Sequence, residues 1–285
     1  VSWPSANLLA QSALSGLFVG SLYGLIGLGL GLSWGLLRTI NLAHFAFTFA
    51  AAYLCYQLSS VGGMDPLATL VLIVPLCFAA GVALHAIVMR FAVSPLNTLL
   101  LTFGLTAIIE AGIQAVWSAD FRRLESSYGH HRFKLLGLYV PLPELITLLA
   151  ALAMTLALWA VLRHTDTGKA MRAAAQDSAV AAAFGVNQRR LSLLLAGTCA
   201  ALAGVAGVCL SLSFTLAPSQ IYAWVGVVFA TVMMGGLGSA VGPLVAGVII
   251  GVSEALTMAI TSPSWAPIVS FTLLIALLLL RPGKI

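Results

Sequence analysis

The chain has 285 residues, of which 61% are hydrophobic and only 7% charged, and its formal net charge is +5. Soluble domains carry about 25% charged residues, so this composition excludes a protein whose surface is mostly wetted and names lipid as the main solvent. The positive charges stand at the ends of apolar runs, which is a topology pattern and not the footprint of a nucleic-acid binder.

In chain order, the opening VSWPSAN has no basic segment ahead of an apolar one and is not expected to act as a signal peptide. Runs free of Asp, Glu, Lys and Arg then predict membrane spans at about 8–31, 40–59, 66–89, 95–117, 142–162, 191–214, 221–236, 239–260 and 265–281. The last long run is divided by Pro218, Ser219 and Gln220 and by the GGLGS stretch at 235–239, and 221–236 reads as half of a broken helix. The predicted fold is all-α, one polytopic bundle over 1–285 with eight or nine crossings, broken helices and an internal pseudo-repeat. Trp3, Trp34, Trp117, Trp159, Trp224 and Trp265 fall near proposed span ends, where amphipathic rings prefer to sit. Cys55, Cys77, Cys199 and Cys209 lie inside apolar runs without metal or redox spacing and are expected to be small packing residues.

Arg38, Arg90, Arg163, Lys169, Arg172, Arg189, Arg190, Arg281 and Lys284 all follow odd-numbered spans. By the positive-inside rule that side is the cytoplasm, with the N-terminus outside and the C-terminus inside. The loop 118–141 runs against the rule, since Arg122, Arg123, Arg132 and Lys134 then lie on the outer face. The longer basic segment 163–190 decides the assignment.

Catalytic motifs are missing. Gly168-Lys169 is followed by Ala170, and Arg163 stands where a P-loop needs its first glycine, so ATP hydrolysis is not expected in this chain. No zinc pair or nucleophile elbow occurs, and no metal site is expected.

The polar stretch 166–187 predicts a helix capped by Asp166 or Thr167 and closed by Gly185. Lys169, Arg172 and Gln176 share one face, while Met171, Ala174, Ala175, Ser178 and Ala182 line another. It is too polar to cross a membrane and too poor in bulky apolar groups for a helix lying on lipid. Small side chains let a partner surface come close, so it reads as a docking helix.

Two polar breaks interrupt apolar segments, Asn41 to His44 in the first half and Gly235, Gly236, Gly238 and Ser239 in the second. Broken helices at membrane depth line cavities, but the glycines equally suit a tight turn, and Asn41 and His44 equally suit polar contacts between helices. Glu110 and Glu254 interrupt apolar runs, where a carboxylate is costly and functional by default; each equally suits a helix end.

The segments GLGLGLSWGLLRTINLAHFAFTFAAAYL (27–54), LLTFGLTAIIEA (100–111), TGKAMRAAAQDSAVAAAFGVN (167–187), VMMGGLGSAVGPLVAGVIIGVSEAL (232–256) and LLLLRPGKI (277–285) together resemble the permease subunits of branched-chain amino-acid ABC importers of the bacterial inner membrane. The resemblance implies a periplasmic solute-binding protein, a second homologous permease chain and two cytoplasmic ATPase subunits that bind ATP and magnesium, with no cofactor in this chain. It implies that Thr167, Gly168, Lys169, Met171, Arg172, Ala175, Gln176, Asp177 and Gly185 belong to the ATPase-coupling loop. It also implies that Asn41, His44, Phe45, Glu110, Gly235, Gly236, Gly238, Ser239 and Glu254 lie along the translocation path. Where many relatives have Gly after Asn-x-Ala-His, this chain has Phe45, which implies a bulkier lining. The expected solutes are branched-chain or other small amino acids; aromatic acids, amides or urea are the alternative within the same machine. An autonomous channel or secondary carrier is the alternative of another class.

Overall fold

A computed structural model describes residues 5–91, 94–135 and 137–280. Trp3, Arg281 and Lys284 lie outside the described residues. The structure is a helical bundle, as the apolar runs demand. The first helix, α1 (Ala6–Leu37), is capped by the Ser5 hydroxyl, which accepts from the Leu8 amide at 3.3 Å. At about 1.5 Å per residue its 32 residues exceed the roughly 30 Å hydrocarbon core. The backbone then turns at Arg38, a left-handed cap with φ 55°.

Next come α2 (Ala43–Tyr56), continued by a π turn at Gln57–Val61, then α3 (Leu70–Phe91) and α4 (Pro95–Trp117). The loop beyond α4 contains an antiparallel hairpin, β1 (Arg132–Leu135) and β2 (Leu138–Pro141), with Arg132 opposite Pro141 and Leu135 opposite Leu138. It is followed by α5 (Leu142–His164), the short α6 (Asp166–Gln176) and α7 (Ser178–Ala183), and α8 (Gln188–Ser213). The chain ends in α9 (Ile221–Gly235), α10 (Gly242–Ile260) and α11 (Ala266–Leu280).

Among the described residues seven helices are long and apolar enough to cross a membrane. Two of the predicted spans are shorter than that: 40–59 begins only at Ala43 and needs its π turn to gain length, and 265–281 is the 15-residue α11. The predicted end of the first span at 31 falls short, because α1 runs on through Ser33 and Trp34 to Leu37.

The core is built around α1, α2 and α8, with Leu22, Leu25, Phe45, Phe49, Tyr53 and Leu210 fully enclosed. By contrast α3, α4 and α5 present apolar chains such as Val71, Leu100, Ile108 and Leu156 outward, as helices bathed in lipid do. All four cysteines are buried and unpaired by disulfides. The most extensive contact between helices is an antiparallel seam of small residues joining α1 and α10. A Cβ on Gly16, Gly20 or Gly24 would stand 2.3 to 2.7 Å from the α10 backbone at Gly251, Gly247 and Leu244. Without side chains between them two helices gain backbone-to-backbone van der Waals contact, which is what holds helices together where lipid removes the hydrophobic drive.

Candidate functional site

The ends of the bundle differ in chemistry. One end gathers the ends of α1, α3 and α5, the start of α8, and α6 and α7, with Arg38, Arg90, Arg163, Lys169, Arg172, Arg189 and Arg190. The other carries the 118–141 loop, fastened by a backbone bridge between Arg122 and Leu216, by Tyr128 donating to Asp65 at 2.6 Å, and by Gln11. The Gln11 side chain both donates to the Tyr139 carbonyl and accepts from the Tyr139 amide at 2.9 Å, imitating a neighbouring strand.

The polar stretch 166–187 folds as two helices and not as the single one expected. Asp177 breaks it because its carboxylate caps α7, accepting from the Ala179 and Val180 amides at 2.9 and 3.0 Å. The cap of α6 is Thr165, ahead of the expected Asp166 or Thr167; its hydroxyl accepts from the Gly168 amide at 3.1 Å. Gly185, at φ 86°, ends α7 as expected. Gly168 and Met171 are buried on the chain itself, and a Cβ on Gly168 would stand 2.2 Å from the Val161 carbonyl oxygen of α5. Thr167, Lys169, Arg172, Gln176 and Asp177 are exposed, Ala175 is half-buried, and Val180 and Phe184 extend the exposed surface, Phe184 at 86%. Lys169 pairs with Asp166 at 3.0 Å. The Arg38 guanidinium donates to the Ala175 carbonyl at 2.8 Å, satisfying one of the open carbonyls of the last turn of α6. That tie was not anticipated.

The two polar breaks end beside α1. His44 is buried, and its Nε2 lies 2.9 Å from the Ile26 carbonyl oxygen. A carbonyl only accepts, so Nε2 carries the proton. Gly29 leaves the room: a Cβ there would stand 2.5 Å from the His44 ring. Asn41 Oδ1 is buried with no hydrogen-bond partner among the described residues, and its side chain borders a cavity of about 20 Å³ lined also by Ser33, Thr39, His85, Thr98 and Thr102. That is room for one water. Phe45 is enclosed and stacks on Phe229 at 6.3 Å, so it faces the core and not an open lining.

Gly235, Gly236, Gly238 and Ser239 form the reversal between α9 and α10. Gly236 and Gly238 have φ of 86° and 74°, Ser239 accepts from the Gly242 amide at 2.9 Å, and the Gly238 amide donates to the Gly31 carbonyl at 3.1 Å. The glycines therefore serve a tight turn seated on α1.

The two glutamates have separate settings. Glu254 is buried at the meeting of α1, α10 and α11, where it accepts from Tyr23 at 3.1 Å and from Ser270. Tyr23 in turn meets Trp224 edge-on at 5.6 Å. Glu110 is half-buried on α4, accepting from Gln114 at 3.3 Å with Tyr222 of α9 beside it. The same face holds a hollow of about 230 Å³ bordered by Leu42, Phe103, Thr106, Tyr222 and Val225. Sequence reasoning missed Tyr23 and Ser270, which carry no local signal, and the α1 seam, which the four-residue spacing of Gly16, Gly20 and Gly24 does signal.

Several crossings, a glycine seam, two polar breaks against one helix and a tethered polar helix pair at the basic end describe a multi-pass membrane protein of the permease class. Residues 12–278 match the family described as branched-chain amino acid transport system / permease component, and the chain belongs to that family. It is 28% identical to the high-affinity branched-chain amino acid transport system permease protein LivH of Escherichia coli, over 96% of this chain and 94% of that one. It is 24% identical to the corresponding permease protein BraD of Pseudomonas aeruginosa, with the same coverage. A probable branched-chain amino acid transport permease protein LivH of Methanocaldococcus jannaschii is 25% identical over 90% of this chain and 86% of that one. No solved structure gives a significant match.

Proposed function

We propose that this chain is the permease subunit of an ABC importer of the bacterial inner membrane, moving branched-chain or other small amino acids. ATP and magnesium are held by two cytoplasmic ATPase subunits, a second homologous permease completes the path, and a periplasmic binding protein delivers the solute. The basic end is the cytoplasmic one, with the N-terminus periplasmic and the C-terminus cytoplasmic. The chain acts as a single permease domain over 1–285, and 163–190 is its coupling loop. One observation carries the reading beyond family membership: α6 and α7 expose Arg172, Gln176, Val180 and Phe184 while Arg38 ties them to the end of α1. A partner that pushes on this pair pushes on α1, which with α8 is one of the two most enclosed long helices of the bundle. A channel that opens on its own has no use for such a tether.

In this reading Thr167, Lys169, Arg172, Gln176 and Asp177 meet the ATPase, while Gly168 and Met171 seat the pair on α5. Glu110, with Tyr222 beside it, borders the path facing the second permease, since a carboxylate on an outward face at membrane depth is too costly to leave in lipid. Asn41, His44 and Glu254 stabilise the wall behind it. Purification from native membranes in mild detergent, with mass spectrometry of everything that accompanies the chain, tests the reading. Recovery of an ATPase and a second permease supports it. Recovery of the chain alone, under conditions that preserve a known importer, replaces it with the autonomous channel or carrier.

A further inference from the structure

A cleft of about 930 Å³ opens at the basic end between the ends of α1 and α3, the α6–α7 pair and the first turn of α8. Its floor is apolar, with Met171 and Leu195 buried and Leu37 half-buried. Its rim carries three exposed arginines, Arg38, Arg90 and Arg189, and no acidic residue lines it. The one ion pair among the described residues, Lys169 with Asp166, lies outside the cleft, so none of the three has a carboxylate partner there.

The first turn of α8 adds a second observation. Arg189 and Arg190 sit there with no acid among them. The amino end of a helix carries partial positive charge, so two cations are disfavoured at this place. The Asn187 side chain caps this end by accepting from the Arg190 amide at 3.1 Å, and an anion held beside Arg189 would offset the positive charge that remains.

The apolar floor and the neighbouring surface choose among anions. Ile87, Met89 and Phe91, in the last turns of α3 beside the cleft, are exposed apolar chains on a helix that faces lipid. A free phosphate would use the arginines and leave the floor unused, whereas a phospholipid uses both. We propose that this cleft binds an anionic phospholipid, its phosphodiester held by Arg90 and Arg189 with Arg38 adjoining, and its acyl chains lying along α3. Basic pockets between membrane helices take lipid headgroups by the same physics. The site is independent of the transported solute. Because Arg38 and Met171 border both the cleft and the α6–α7 pair, headgroup charge acts on how that pair is seated.

The test uses the full chain with whatever partners purify with it, reconstituted in phosphatidylcholine vesicles with or without phosphatidylglycerol and then examined by native mass spectrometry. Phosphatidylglycerol should stay bound in preference to phosphatidylcholine, and excess inorganic phosphate should leave it in place. In R90Q/R189Q retention should fall roughly fivefold for each arginine removed, R90K/R189K should keep most of it, and R123Q/R132Q at the opposite end should keep all of it. Four results overturn the proposal. They are no preference between the two lipids, an equal loss in R123Q/R132Q, displacement of the lipid by inorganic phosphate, or hydrogen-exchange protection of residues 188–192 that depends on a bound partner protein and ignores lipid composition.

Discussion

The guanidinium of Arg38 reaches across 137 residues of sequence to the Ala175 carbonyl, joining the left-handed cap of α1 to the last turn of α6 at 2.8 Å. The bond sits at an exposed surface, so its value is mechanical more than thermodynamic. Arg38→Ala should lower solute uptake per ATP hydrolysed by about fivefold, the equivalent of roughly 1 kcal/mol for one solvent-exposed hydrogen bond. The ATPase should still purify with the chain. Transport and hydrolysis measured together in vesicles check this, and an unchanged ratio removes the tether from the mechanism.

Gly168 and Ala183 separate seating from docking. Gly168→Val drives a side chain into the Val161 carbonyl and should destabilise the chain by about 1–3 kcal/mol. Ala183→Trp, on the exposed side of α7, should leave stability within about 0.5 kcal/mol yet weaken recovery of the ATPase. Thermal unfolding and pull-down on both variants decide the matter; a stable Gly168→Val chain contradicts the packing.

Glu254 should tolerate an amide and not a hydrocarbon. Glu254→Gln keeps an acceptor for Tyr23 and Ser270, whereas Glu254→Leu strands the buried Ser270 hydroxyl and the half-buried Tyr23 hydroxyl at a cost of about 1–3 kcal/mol. Comparison of the two by thermal unfolding in detergent tests this; equal loss for both would give the negative charge itself the structural role.

At the opposite end, the Tyr128 hydroxyl bonded to Asp65 holds that carboxyl below its ordinary 3.8, against the opposing effect of burial and helped by the Leu67 and Ala68 amides. A carboxyl lowered on folding contributes stability that is complete above its unfolded value and lost as pH falls through the folded one. The protection of the Leu67 and Ala68 amides, taken relative to their intrinsic exchange rates, should therefore be constant at neutral pH and fall only below about 3.8. Tyr128→Phe should raise the pH at which that loosening begins, as amide exchange across the acid range would show.

Much of the bundle was legible because lipid makes length and apolarity decisive. The span expected at 95–117 is α4, and that expected at 142–162 is α5 less its last two residues. Legibility failed where a residue's meaning depends on what it faces. Gly168 reads as a site for a partner but seats α6 on α5, and Phe45 reads as a lining residue but stacks on Phe229. Asp177 inside an alanine-rich run hid a second cap, although Asp-Ser ahead of a short helix is a recognisable start. The β-hairpin at 132–141 was written in the alternation of Arg132, Phe133, Lys134 and Leu135 before Gly137. The partners of Glu254 come from α1 and α11 and leave no trace in any local window.

The glycine seam decides which parts of the molecule are free to move. Where α1 and α10 touch through bare backbone there is no side chain to bend, and displacing one helix along the other by a residue would bring Gly20 against a side chain in place of Gly247. The pair is a single beam, able to tilt as a unit but not to shear. Any cycle of opening must then be accommodated in elements held by side chains alone, foremost the weakly enclosed α4, so that the seam is the frame and α4 the shutter.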